Sequence, residues 1–154
     1  MPPVTNDQPF TLRSDAFEHG QPIPSQYSCD GQDRSPPLSW SEPPEETRSL
    51  ALIVDDPDAP SGTFTHWLAW GIDPAAGGLG EGDRPQREGQ NDFGTSGYGG
   101  PCPPPGHGLH HYSFRLAALD SELDLAAGTG KQELEQALAG HVLTVAELIG
   151  TYER

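Results

Sequence analysis

The sequence predicts a mainly β domain built from antiparallel strands, and three observations carry that expectation. Glycine and proline are abundant, 19 and 17 among 154 residues, which suits many short elements joined by turns and not a helical bundle. The apolar runs are short, rich in β-branched and aromatic residues, and bounded by turn formers. Only one segment combines helical periodicity with plausible end signals. The length is that of one domain with a real core. Because neither a linker nor an internal repeat divides the chain, we read a single domain over 1–154, with 1–8 as a flexible start.

The elements follow in order. Phe10-Thr11-Leu12-Arg13 alternates as an edge strand does, and Gly20, Pro22 and Pro24 stop it. From Tyr27 to Pro44 the text is loop, with a turn at Asp30-Gly31 and a short strand at Leu38-Ser39-Trp40. Ser49 to Val54 is a continuous apolar run, too short for a typical helix, so it predicts a strand covered on both faces. His66 to Ile72 predicts an antiparallel partner for it. A long Gly/Pro-dense stretch, 73–108, then shows no elements of its own, which points to function or mobility. His110 to Leu119 alternates as a third strand. Thr129 is positioned to cap a helix, with Gln132 completing a capping box, an apolar stripe at Leu134, Ala137 and Leu138, and Gly140 as its stop. Val142 to Tyr152 reads as a last strand from its β-branched content.

Charge narrows the partners. With 8 Lys and Arg against 23 Asp and Glu, the formal charge is −15. Nucleic acid and anionic membrane surfaces would meet repulsion and few basic contacts, so neither is expected as a partner. The only lysine is Lys131, a scarcity of the kind expected from a salt-rich cytoplasm or a GC-rich genome. No apolar run approaches the roughly 20 residues of a membrane span, and the start Met1-Pro2-Pro3-Val4 lacks the pattern of a secretory leader. A cytoplasmic location is therefore expected. On that ground Cys29 and Cys102 are expected as free thiols. The alternative is a bridge closing a loop of about 70 residues, which would stabilise the fold by roughly 4 kcal/mol.

Three segments hold most of the polar residues with site potential. Asp55-Asp56-Pro57-Asp58-Ala59-Pro60 places carboxylates at the end of a buried strand, on a backbone that prolines stiffen. A lone Asp-Pro-Asp would more often be a solvated turn. His66 opens an aromatic strand, where a single histidine is more often structural than a ligand. Pro103-Pro104-Pro105-Gly106-His107-Gly108-Leu109 leads into His110-His111-Tyr112. On a strand, His110 and Tyr112 share one face and His111 takes the other. Two imidazoles, a phenol and exposed loop amides suit a phosphate-like anion, with Asp56 orienting a histidine.

These same segments resemble the signature regions of the phosphatidylethanolamine-binding protein family: Asp-Pro-Asp-Ala-Pro at 56–60, His66-Trp67, and Pro-Pro-Pro-Gly-His-Gly-Leu-His-His-Tyr at 103–112. The stretches 27–40 and 91–102 are similar to its bacterial and archaeal branch, often labelled Raf kinase inhibitor-like. The likeness runs over about residues 9–154. It implies an antiparallel β-sandwich of Greek-key type with a few peripheral helices. It also implies a surface pocket for phosphate or a phospholipid headgroup, lined by Asp56, Asp58, His66, Pro104, His110 and Tyr112. Many relatives carry Arg where this chain has His111, so an ion pair made there is expected to be lost or to become pH-dependent. A homodimer is implied by the prokaryotic relatives.

The function expected from these readings is non-enzymatic binding of a small anionic or phosphorylated group, with no cofactor and no metal. An inhibitor of a kinase or peptidase, acting through the pocket loops, is the alternative. A metal-dependent hydrolase using Asp56, Asp58, His66 and His110 ranks below both, because the chain has neither a helical His-x-x-x-His nor a Gly-x-Ser-x-Gly elbow.

Overall fold

The computed structural model describes residues 9–154; the flexible start expected at 1–8 lies outside the described residues. The strands are β1 (Leu12–Arg13), β2 (Leu38–Trp40), β3 (Ser49–Asp56), β4 (Phe64–Ile72), β5 (Gly78–Leu79), β6 (Arg87–Glu88), β7 (His110–Leu119) and β8 (Val142–Tyr152). They form two sheets, β6-β4-β3-β7-β8 and β1-β2-β5, in which every named pair is antiparallel.

Strand β3 is central, and its sequence explains why. Successive side chains point to opposite faces of a sheet. Leu50, Leu52 and Val54 join Trp67, Phe114 and Leu116 in a core shared with Leu12, Leu38 and Trp40 of the small sheet. Ala51 and Ile53 go the other way, with Leu68, Trp70 and Leu119, and are covered by Leu134 and Leu138 of helix α1 (Lys131–Leu138). The large sheet is thus roofed on both faces, and all eight residues of β3 are buried. Burying a Leu or Ile side chain is worth roughly 1.5–3 kcal/mol, so an uninterrupted apolar run is the stable choice only at this central position. Asp55 also fastens the helix to the sheet, because its Oδ2 accepts from Arg115 of β7 at 2.7 Å and from Lys131 at 3.0 Å.

Three expectations require correction. Cys29 and Cys102 are disulfide-bonded and not free. Their loops are also stitched by Cys29 N to the Pro101 carbonyl at 3.1 Å, Gly100 N to Asp33 Oδ1 at 2.7 Å, and the Tyr98 hydroxyl to the Tyr27 carbonyl at 2.7 Å. The thiol expectation rested on compartment and carried no geometry. The capping box is likewise absent: Gly130 is the N-cap, without a side-chain bond, while the Thr129 hydroxyl donates to the Ala126 carbonyl at 2.6 Å. Finally, 73–108 does contain elements. Pro74–Ala76 forms one 3-10 turn, capped by Asp73 Oδ1 on Ala75 N, and β5 and β6 contribute two residues each. Two-residue strands carry no periodicity, so pattern reading has nothing to find. Among the described residues the peripheral helices are α1 and two 3-10 turns, Ser25–Tyr27 and Pro74–Ala76.

Candidate anion-binding pocket

The site lies where β3, β4 and β7 reach the same end of the large sheet. Antiparallel pairing of Val54 with Phe114 and Asp55 with Ser113 carries Asp56 toward the start of β7. There Asp56 Oδ2 meets His110 Nδ1 at 2.6 Å, with both side chains almost fully buried. A carboxylate oxygen accepts, so Nδ1 carries the proton. Asp56 Oδ1 accepts from Asp58 N at 2.8 Å, closing the turn that Pro57 stiffens. On the other side, β4 pairs with β3 and brings His66 beside Tyr112, their rings perpendicular with centroids 5.1 Å apart. The three segments singled out from the sequence therefore converge.

Strand alternation places the remaining side chains as expected. His110 and Tyr112 are buried together, and His111 is exposed on the opposite face. His111 bonds Asp58: one Asp58 oxygen accepts from His111 N and from its Nδ1, each at 2.8 Å. These bonds, the side-chain one first, hold the Asp58 carboxyl below its ordinary value. Asp58 is thereby turned away, and it is the one site residue expected from the sequence that does not line the cavity. Asp56, His66, Pro104, His110 and Tyr112 do line it.

The cavity measures about 490 Å³. Its walls are largely apolar, with Pro60, Phe64, Phe93 and Pro103 among them, and among the described residues neither Lys nor Arg lines it. The rings of Phe64, Phe93 and His66 pack on one another at centroid distances of 4.7–5.3 Å, with Phe93 exposed at the rim. Asp92, also in the wall, is committed to Thr65 N at 2.7 Å. A second hollow of about 300 Å³, between α1 and β8, is mostly aliphatic and holds none of the site residues.

Electrostatics distinguishes the two polar groups that remain available. His66 Nδ1 faces the Gly99 carbonyl at 2.7 Å and must donate to it. Burial lowers the His66 pKa, and the Gly99 carbonyl only partly offsets that. The ring is therefore neutral near pH 7, with Nε2 as an acceptor. The Tyr112 hydroxyl is pushed far above its ordinary value, by burial first, then by the charge of Asp56 and by the approach of that carboxylate to the hydroxyl, an approach that falls short of hydrogen-bond geometry. It stays protonated, and it is a buried polar atom without a hydrogen-bond partner among the described residues. Among those residues, no three His, Asp, Glu or Cys side chains are arranged to hold a metal ion.

Sequence reasoning missed His107, whose Nδ1 lies 2.7 Å from His110 Nε2. Its Gly-His-Gly setting marks only a flexible turn, so pattern alone assigns it no role. Phe64 and Phe93 were also missed, because an aromatic residue beside a strand end reads as core.

The phosphatidylethanolamine-binding protein family model matches residues 13–153. The chain belongs to that family. Its relatives place it in the bacterial and archaeal branch. A Methanothermobacter thermautotrophicus protein is 51% identical over 152 residues, covering 94% of this chain and 99% of that protein. The Mycobacterium tuberculosis protein LppC, named as a lipoprotein, is 42% identical over 153 residues, covering 98% of this chain and 76% of its own length. The crystal structure of a phosphatidylethanolamine-binding protein homologue from Chlamydia trachomatis superposes with a TM-score of 0.90 at 43% identity, covering 94% of this chain and 97% of that one. The antiparallel two-sheet fold is thus the family's. Among the described residues, no helix is long and apolar enough to cross a membrane.

Proposed function

We infer that this protein binds, without transforming it, a small anionic or phosphorylated group in the cavity at the ends of β3, β4 and β7. One observation supports the reading: Tyr112 lines the cavity, and its hydroxyl is buried, held protonated and without a hydrogen-bond partner among the described residues. A buried donor left unmade costs about 1–3 kcal/mol, and a ligand oxygen accepting from it removes that cost. Neutral His66 adds an acceptor, which a proton-bearing part of a larger ligand, such as a headgroup ammonium, can use without being required for the anion itself. The aromatic and proline walls leave room for an apolar or headgroup-sized substituent beyond the anion.

Calorimetric titration with inorganic phosphate and with phosphoethanolamine tests this. Saturable 1:1 binding that weakens in Tyr112→Phe supports the reading, and heats no larger than dilution for both ligands refute it. The cytoplasmic location expected from the sequence stays part of this reading, although the Cys29–Cys102 bridge and the name of the mycobacterial relative weigh against it. Fractionation of the native source decides that. The homodimer implied by the resemblance is tested by light scattering.

A further inference from the structure

His110, the histidine that the family resemblance assigns to the pocket, is not free to meet a ligand. Its Nδ1 donates to Asp56 and its Nε2 faces His107 Nδ1 at 2.7 Å, so both ring nitrogens are occupied. Its side chain is only 2% exposed. With the Asp56 carboxylate holding the Nδ1 proton, a neutral His110 presents a lone pair at Nε2, which His107 fills with its own N–H. In that state an oxyanion finds no donor at His110. His107 itself is exposed and stands between Gly106 and Gly108, whose φ angles are +77° and +99°. A Cβ at either glycine would meet nothing within 4 Å. That turn is tied down by Gly106 N to the Arg154 carbonyl at 3.0 Å and by His107 N to the Pro104 carbonyl at 3.1 Å. The imidazole can therefore leave without disturbing the sheet.

Resting on the anion-binding reading above, we propose that His107 is an internal occupant of the site, capping His110 Nε2 until an incoming oxyanion displaces it. Displacement requires Nε2 to carry a proton, so anion binding takes up a proton at His110. The charged and titratable groups around the two imidazoles are Asp56 and Asp58 at the end of β3, His66 of β4, His111 and Tyr112 of β7, and Arg154 beyond β8. Asp56 is the one bonded to His110, and its carboxylate supports the imidazolium. When both imidazoles are protonated, two N–H groups face each other and the cap opens by itself. Adding protons to the pair therefore opens the cap, which couples it to pH.

The test uses sulfate, titrated calorimetrically into the full chain at pH 5.5, 7 and 8, across which its charge is constant. His107→Ala removes the cap and is expected to tighten sulfate binding roughly fivefold at pH 7, the value of one net hydrogen bond. The gap from wild type is expected to close toward pH 5.5. His107→Gln, whose amide N–H can still cap Nε2, is expected to stay near wild type at pH 7. Equal affinity of wild type and His107→Ala at every pH overturns the cap while leaving anion binding intact. Weaker binding in His107→Ala also overturns it, making His107 a ligand contact. No sulfate binding in any variant overturns the cap together with the anion reading.

Discussion

Replacing Tyr112 with phenylalanine separates ligand binding from stability, because the two should move in opposite directions. Among the described residues the hydroxyl is buried without a hydrogen-bond partner, and the ring already packs perpendicular to His66. Removing the oxygen leaves that packing in place and relieves a desolvation cost whose lower end is about 1 kcal/mol. For a chain of this size that is a rise in Tm of roughly 2–4 °C. In the complex, the same hydroxyl donates to a charged oxygen, a bond worth roughly 1.5–3 kcal/mol. Its loss should weaken phosphate binding by about 10- to 150-fold. Thermal unfolding with and without phosphate, beside calorimetric titration, measures both quantities on one pair of samples. Unchanged affinity would refute the assignment of Tyr112 as the ligand's donor. A fall in ligand-free stability of 1 kcal/mol or more would show that the hydroxyl has a protein partner, and the central inference would lose its basis.

Three further outcomes are expected. Replacing Cys29 and Cys102 together with serine removes a cross-link spanning 73 residues, about 4 kcal/mol on the chain-entropy account; Tm should fall by roughly 10 °C. The pocket should persist in that variant, as phosphate titration would show, because three other hydrogen bonds hold the same loops. Asp55→Ala strips Arg115, Lys131 and Thr65 of a buried shared acceptor, and denaturant unfolding should show a loss of about 3 kcal/mol. His66 has a folded pKa below its unfolded value. Below about pH 6.5 the unfolded chain binds the extra proton, so His66 contributes stability that is complete above pH 6.5 and is lost as pH falls toward the lowered folded value. Denaturant midpoints between pH 7 and 5 should therefore decline less in His66→Asn than in wild type.

What the sequence discloses depends on the range over which each feature is encoded. The long strands were legible because alternation and the apolar run at 49–54 report directly on which faces are covered. The convergence of Asp56, His66 and His110 was legible only through the order and spacing of several motifs, since no local pattern specifies neighbours in space. Alternation did establish that His111 parts from His110 and Tyr112, and the His111–Asp58 bonds follow from that. Asp58 was misjudged as pocket lining because its partner lies across the sheet edge. The Cys29–Cys102 bridge was missed for a different reason: compartment says whether thiols oxidise, and only the stitching of the 27–33 and 97–102 loops says whether they meet. The Thr129 cap failed because Gln90 N bonds the Thr129 carbonyl at 3.0 Å, a tertiary contact that fixes where the helix can begin.

The occupant of the cavity, seen directly, bears hardest on the whole account. A crystal structure obtained with inorganic phosphate should show tetrahedral density with one oxygen about 2.7 Å from the Tyr112 hydroxyl, inside the walls formed by Asp56, His66, Pro104 and His110. An empty cavity at saturating phosphate, or phosphate bound elsewhere with Tyr112 still unpartnered, would contradict it.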